Sequence, residues 1–206
     1  MSKKQVMAEI IRHTSLSDGI FDMTLKAEEI AKEAKAGQFI IFRVDEEGER
    51  IPLTIADSDS EKGTVTIIFQ KVGLSTELLG QKNEGEYILD FVGPLGVPTE
   101  TEGFKKVAVI GGGVGNAIAF PQAKSLFKAG CQVDVISGFR TKDLIILEDE
   151  MRANSTNYYL VTDDGSYGEK AFTTQKLEEL IQKGEKFDEI VAVGPPIMMK
   201  LVCEIA

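Results

Sequence analysis

Five residues, Gly111, Gly112, Gly113, Val114 and Gly115, form a glycine-rich turn between an apolar stretch at residues 106–110 and a helix-like segment at 116–129. Glycines permit a tight turn and close backbone approach, and a helix start offers free N–H groups and partial positive charge to a pyrophosphate. The same arrangement also serves strand-to-helix packing. A GxxxxGK string followed by Ser or Thr is absent, so a nucleotide triphosphatase is not supported.

Three further segments sit where ends of later strands are expected. The simple dinucleotide fingerprint wants a carboxylate about 20 residues on, to hold ribose hydroxyls. Here the chain reads Ser137-Gly138-Phe139-Arg140. Arg140 can pair bidentately with a 2′-phosphate or the pyrophosphate, or it is a solvated loop charge near Asp143. Asp163 and Asp164, inside Thr162-Asp163-Asp164-Gly165-Ser166, suggest a metal or acid/base dyad at first sight. Asp-Gly is also a turn former, and the favoured reading is a loop making backbone contacts to a nicotinamide. Gly194, Pro195 and Pro196 close the fourth strand.

Nearer the N-terminus, Arg50-Ile51-Pro52-Leu53-Thr54-Ile55 is followed, nineteen residues after Thr54, by Gly73-Leu74-Ser75-Thr76. An arginine entering a strand, a hydroxyl on it and a glycine at a helix start place a cation, a hydrogen-bond donor and an anion hole on one edge. The lone histidine, His13, lies among apolar residues without partners for base catalysis and receives no role.

These residues need elements to position them. Residues 1–98 alternate strand-like stretches with Gly and acidic turns, which predicts a small antiparallel β-barrel. Its strands are expected at 6–12, 20–25, 38–44, 53–56, 64–72 and 87–92, with short helices at 27–34 and 75–79. Gly93-Pro94-Leu95-Gly96 should break regular structure and mark the boundary. Residues 103–206 alternate strand and helix, which predicts a doubly wound parallel α/β sheet with its crevice at the carboxyl ends of the strands. Strands are expected at 107–110, 133–137, 158–162 and 190–193, and helices at 115–129, 145–151, 173–182 and from 196. The last strand of such a sheet is missing, and the expectation is a fragment of a longer subunit.

Composition narrows the function classes. Hydrophobic residues at 43% and charged residues at 27% describe a globular chain without a bilayer-spanning run. The start of the chain shows no signal-peptide pattern, so a cytoplasmic location is expected. Cys131 and Cys203 are too few for a disulfide scaffold or a cysteine-ligated metal site, and no metal is expected. A net charge of -10 disfavours nucleic acid.

The order barrel, Arg-x-Pro-Leu-Thr, Gly-x-Ser-Thr, Gly-Pro-Leu-Gly, Gly-Gly-Gly-x-Gly, Gly-Pro-Pro-x-Met resembles the ferredoxin–NADP reductase superfamily over nearly the whole chain. Within it, Arg140-Thr141-Lys142-Asp143-Leu144 and the segment from Thr162 to Gly168 are most similar to the small (alpha) subunit of NADH-dependent ferredoxin–NADP oxidoreductase, also known as a sulfide dehydrogenase subunit. The next likeness is to the electron-transfer subunit of NAD-dependent dihydroorotate dehydrogenase.

The resemblance implies that Arg50, Pro52, Leu53 and Thr54 line FAD, with Arg50 near the phosphates and Thr54, the one catalytic position, near the flavin N5. It implies that Phe69, Gln70 and Lys71 run along the flavin through backbone contacts and that Gly73, Ser75 and Thr76 bind its pyrophosphate. The glycine turn, Asp163 and residues 194–196 would form the NAD(P)H side. Val193 stands where many relatives carry a cysteine, and Asn116-Ala117-Ile118 stands where Ile-Ala-Pro is common. The cysteine-rich segment that ligates a 2Fe-2S cluster in full-length relatives is not in this sequence, which has two cysteines where four thiolates are usual.

The implied function is hydride transfer between NAD(P)H and FAD, with electrons passed to an iron–sulfur or ferredoxin-linked partner. A larger oxidoreductase subunit is the expected partner, because an acidic chain docks poorly on free acidic ferredoxin. The alternative is a catalytically silent, cluster-less subunit acting through its partner. An NAD-dependent dehydrogenase with its own substrate lacks a His or Lys constellation.

Overall fold

The structure, a computed structural model, describes residues 7–206. Val6, where the sequence places the start of the first strand, lies outside the described residues. The chain divides into one compact unit through Thr99 and a second from Glu100.

The first unit is an antiparallel barrel. Its strands are β1 (Ala8–Ser17), β2 (Ile20–Lys26), β3 (Phe39–Arg43), β4 (Ile51–Asp59), β5 (Thr64–Gln70), β6 (Tyr87–Ile88) and β7 (Asp90–Leu95), with helices α1 (Glu28–Glu33) and α2 (Leu74–Leu79). They hydrogen-bond in the order β6-β1-β2-β5-β4-β3-β7. Period-two alternation sends Ile40 and Phe42 of β3, and Val65, Ile67 and Phe69 of β5, into one core with Met23, Leu25 and Phe91. The expected sixth strand divides at Leu89. Residues before the break pair with β1 (Ala8↔Ile88) and those after it with β3 (Phe42↔Phe91), so one segment bridges both ends of the sheet.

Gly93-Pro94 does not end regular structure as expected: β7 continues through Leu95. Proline is tolerated because β7 is an edge strand with a register shift opposite Phe39 and Ile41, where a donor is dispensable. Gly93 also lies so close to Ile40 that a Cβ would come within 2.8 Å of its Cγ2.

The second unit is a parallel sheet of β8 (Lys106–Gly112), β9 (Gln132–Phe139), β10 (Asn157–Thr162), β11 (Glu169–Lys170) and β12 (Glu189–Val193), ordered β11-β10-β9-β8-β12. Helices α3 (Gly115–Lys128), α4 (Glu148–Ala153) and α5 (Thr173–Gln182) lie in its connections, and α6 (Pro196–Ile205) follows β12. Val107, Val109, Val133 and Val135 pack with α3 and α4, while Ala108, Ile110 and Ile136 pack with α5 and α6. Near the amino ends, buried Asp134 accepts from Asn157 Nδ2 at 2.8 Å and pairs with Lys106 Nζ at 3.3 Å, joining three neighbouring strands.

Two elements depart from the sequence reading. The helix expected at 145–151 starts at Glu148, after a 3-10 turn at Lys142–Leu144, because Ile146 is buried and Leu147 adopts φ 58. The sequence reading also omits β11, whose two residues are too few to show periodicity. Its Glu169 pairs with Lys176 of α5, a buried lysine that also meets Glu179 at 2.7 Å.

Glu179 additionally pairs with Lys183, and hydrogen bonds from these two ammonium groups hold its carboxyl down at about 2. A lowered carboxyl pKa stabilises the fold fully above the unfolded value, and that contribution fades as pH falls through about 2. A 13C titration of Glu179 should give a midpoint near that value, and Lys176→Met should move it upward.

Candidate functional site

In the barrel, the pairing of β4 changes partway along. Residues Ile51 to Thr54 pair with β3 and those from Ile55 onward with β5, the last matched pair being Ile55↔Ile67. Beyond it, Ile68, Phe69 and Gln70 pair with β2 alone. Two strands thus diverge and leave backbone groups facing a gap. Ile55 N–H donates to Gln38 O at 3.0 Å, on the β3 side, so strand alternation turns the N–H of Thr54 to the gap. Pro52, turned the same way, has no N–H to leave orphaned. Across the gap Lys71 N–H donates to Gly19 O at 2.9 Å, so Gln70 and Ile68 are the residues with backbone groups aimed into it.

The expected flavin residues sort by this geometry. Pro52 is exposed and Thr54 half-buried at the point of divergence, whereas Leu53 packs on the barrel core. Phe69 is buried and stacks on Phe21, with ring centroids 5.9 Å apart. Lys71 holds its ammonium 4.3 Å from the centre of the Phe21 ring. Thr76 spends its hydroxyl on the loop itself: Oγ1 accepts from Val72 N–H at 3.0 Å and Gly73 N–H at 3.2 Å and donates to Gly73 O at 2.9 Å. Ser75 is half-buried in the first turn of α2.

Gly73 differs from the other glycines. Its φ of -172 suits any residue, and a Cβ there would meet nothing within 4 Å. Every other glycine of the chain has a positive φ or a neighbour within 4 Å of that position. The fold therefore gives no reason for glycine at 73, and the open space in front of it suits close approach of a phosphate.

Arg50 is 61% exposed and donates to Asp90 Oδ2 at 2.8 Å; Arg43 Nε donates to the same oxygen at 2.8 Å. Asp90, which holds both arginines, is absent from the sequence reading. Its signal was a carboxylate inside the apolar run Tyr87-Ile88-Leu89-Asp90-Phe91-Val92, which calls for a cation when buried.

In the second unit the expected residues gather at the carboxyl ends of the strands. Packing accounts for most of the glycine turn: a Cβ on Gly115 would collide with the Val193 carbonyl, one on Gly111 with the Asn116 side chain, and one on Gly112 would lie 2.7 Å from Met198 Sδ. Gly113 takes φ 56, and Val114 is the N-cap of α3. Gly194 lies against Met198, while Pro195 and Pro196 stand exposed at the start of α6.

Arg140 is exposed at the end of β9 and forms no ion pair among the described residues. Asp163 and Asp164 are exposed and shape a turn. Ser166 N–H donates to Asp164 Oδ1 at 2.9 Å, and the Ser166 hydroxyl and N–H hold the Asp164 carboxyl below its ordinary range. Lys142 N–H donates to Ser166 Oγ at 2.8 Å, tying the two loops together. Among the described residues no cluster of three or more His, Cys, Asp or Glu side chains is arranged to hold a metal, and no helix is long and apolar enough to cross a membrane.

No family model matches the chain. A Clostridium beijerinckii protein known as the uncharacterized protein in the adh 3′ region is 49% identical over 202 residues, spanning 94% of this chain and 68% of the relative. A Thermotoga maritima homologue of the dihydroorotate dehydrogenase B (NAD(+)) electron transfer subunit is 44% identical, spanning 93% and 67%. Among solved structures, that of the NADH-dependent reduced ferredoxin-NADP oxidoreductase, described for flavin-based electron bifurcation, superposes with a TM-score of 0.90 at 38% identity, covering 100% of this chain and 73% of its own.

The contrast between glycines is measurable. Gly115→Ala should cost about 1–3 kcal/mol in urea unfolding, because its Cβ meets backbone that cannot yield. Gly73→Ala should stay within about 1 kcal/mol of the parent, since alanine fits the same backbone.

Proposed function

This chain belongs to the ferredoxin reductase-like superfamily, alongside the dihydroorotate dehydrogenase B electron-transfer subunits and their homologues, and from that premise we propose that it transfers hydride between NAD(P)H and FAD. The coarser assignment, an oxidoreductase-type protein of flavin- and nicotinamide-linked electron transfer, follows from the family. The observation that carries the finer one is the gap between β4 and β5, combined with the glycine at 73 that the fold itself does not require.

The residues present fit FAD. A flat ring needs an edge of backbone donors and acceptors, which Thr54 and Gln70 supply, and apolar contact, which exposed Pro52 and its surroundings supply. A pyrophosphate needs a cation and room, which Arg50 and the space at Gly73 supply. FAD bound there would provide two-electron acceptance with release of electrons one at a time. Thr54, at the divergence of the strands, would orient the reacting edge by its hydroxyl or its N–H. Asp90 would hold Arg50 in place between ligands.

In the second unit, the turn at residues 111–115, the loop at 163–166 and the start of α6 would hold the nicotinamide cofactor at the carboxyl ends of the strands. Asp163 and Asp164 would shape that rim rather than exchange protons. A 2Fe-2S cluster does not fit this chain: Cys131 is buried in the link between α3 and β9, Cys203 is exposed on α6, and two thiols fall short of the four such a cluster takes. Onward electron transfer would fall to a larger oxidoreductase subunit, in keeping with the subunit names of the relatives.

Purified chain supplemented with FAD should turn yellow, retain flavin through gel filtration and bleach with NADH or NADPH under anaerobic conditions. Gly73→Ala should lose about tenfold or more in FAD affinity at unchanged far-UV circular dichroism, a loss of about 1.4 kcal/mol. Absence of flavin retention in the parent chain would sink the proposal. Retention without bleaching by either nucleotide would leave a silent flavoprotein.

A further inference from the structure

Asn116 is a polar side chain with 0% exposure in the first turn of α3. Its Nδ2 donates to Gly113 O at 2.9 Å, and its own backbone N–H donates to the same oxygen at 3.1 Å. The other end of Gly113 is held too, since its N–H donates to Gly138 O on β9 at 2.8 Å. Asn116 Oδ1 has no hydrogen-bond partner and lies where Gly111 lacks a side chain, so only a weak Cα–H contact is on offer there. Turning the amide over would set oxygen against the Gly113 carbonyl, so the donor's orientation is determined by that carbonyl.

A planar trans peptide carries its C=O and N–H in opposite directions. With the Gly113 carbonyl drawn inward by two donors, the N–H of Val114 in the same peptide must point away from Asn116, toward the mouth of the turn. Gly113, at φ 56 with no neighbour within 4 Å of a Cβ, has the freedom to let this peptide rotate if nothing held it. Rotation would aim a carbonyl oxygen at any anion there and take the donor away.

We propose that Asn116 is a positioning residue that orients the Val114 N–H toward the diphosphate of the nicotinamide cofactor by holding the Gly113 carbonyl. The identity of that ligand rests on the function proposed above, whereas the orientation of the peptide does not. The donor matters, not the volume. Thr has a hydroxyl that reaches a carbonyl one turn back in a helix, Leu has similar bulk without a donor, and Asp has the same shape with an acceptor in the donor's place.

The test is a titration of the 15N-labelled full chain with inorganic pyrophosphate, followed through the Val114 and Gly115 amide shifts, alongside NAD(P)H titrations of the same variants. In the parent and in Asn116→Thr the Val114 amide should respond, and nucleotide affinity should agree within about threefold. In Asn116→Leu and Asn116→Asp the response should vanish and nucleotide affinity fall about tenfold or more, with FAD content and bleaching by dithionite unchanged. Should Asn116→Leu misfold, Asn116→Asp and Asn116→Thr alone still separate donor from acceptor. Equal responses in Asn116→Asp and the parent would overturn the inference, as would a parent Val114 amide indifferent to pyrophosphate. A parent that answers pyrophosphate but does not pass electrons from nucleotide to flavin would defeat the proposed function and leave the role of Asn116 standing.

Discussion

Backbone hydrogen-bonding groups must find partners, and the barrel leaves that obligation open along one seam. Strand β4 serves β3 with its first half and β5 with its second, so the sheet has no continuous ladder at the turnover between Thr54 and Ile55. Everything distinctive about the first unit follows from that divergence. Pro52 is acceptable in the strand because its missing donor would have faced the seam, and the loop after β5 is clamped by Thr76 rather than by a neighbouring strand. The seam is a backbone feature, so residues of very different side chain contribute to it equally.

The second unit solves a different problem with similar residues. Its glycines let three helices begin almost flush with the strands: Gly115 admits the Val193 carbonyl, Gly112 admits Met198, and Gly138 admits the methyl group of Thr173. Most of the glycine turn is thus explained by packing, and the proposed ligand chemistry would rest on the peptide between Gly113 and Val114. Glycine serves there as a spacer between elements, whereas at position 73 it serves as a vacancy.

The fold was largely legible in the sequence because both periods were clear. Strand alternation in segments such as Thr64-Val65-Thr66-Ile67 and strand–helix alternation from Lys106 onward located most elements within a few residues. What escaped were features set by tertiary contact: the break at Leu89, the left-handed Leu147 that delays α4, and the two-residue β11 docked through Lys176. The candidate site was legible as a set of residues but not as a division of labour. The family resemblance implied that Thr76 binds a pyrophosphate and could not show its hydroxyl engaged with the Val72 and Gly73 amides. It noted Asn116 as a departure from the common pattern without revealing that the side chain is wholly buried against the turn. Asp90 was missed because its two arginine partners are forty or more residues away in sequence.

That carboxylate has an electrostatic consequence. Arg43 and Arg50 bring two positive charges and Asp90 removes one, so the neighbourhood offers a ligand one net cation instead of two. Arg50, the more exposed partner, shares an oxygen with Arg43 and can turn toward an incoming anion without leaving Asp90 uncompensated. In the proposed role, the barrel would keep Arg50 paired with Asp90 at rest while the trio retains one net positive charge. Were a charged ligand to bind there as proposed, its release would not strand an unpaired guanidinium, and the site would be more readily reversible than a bare pair of arginines.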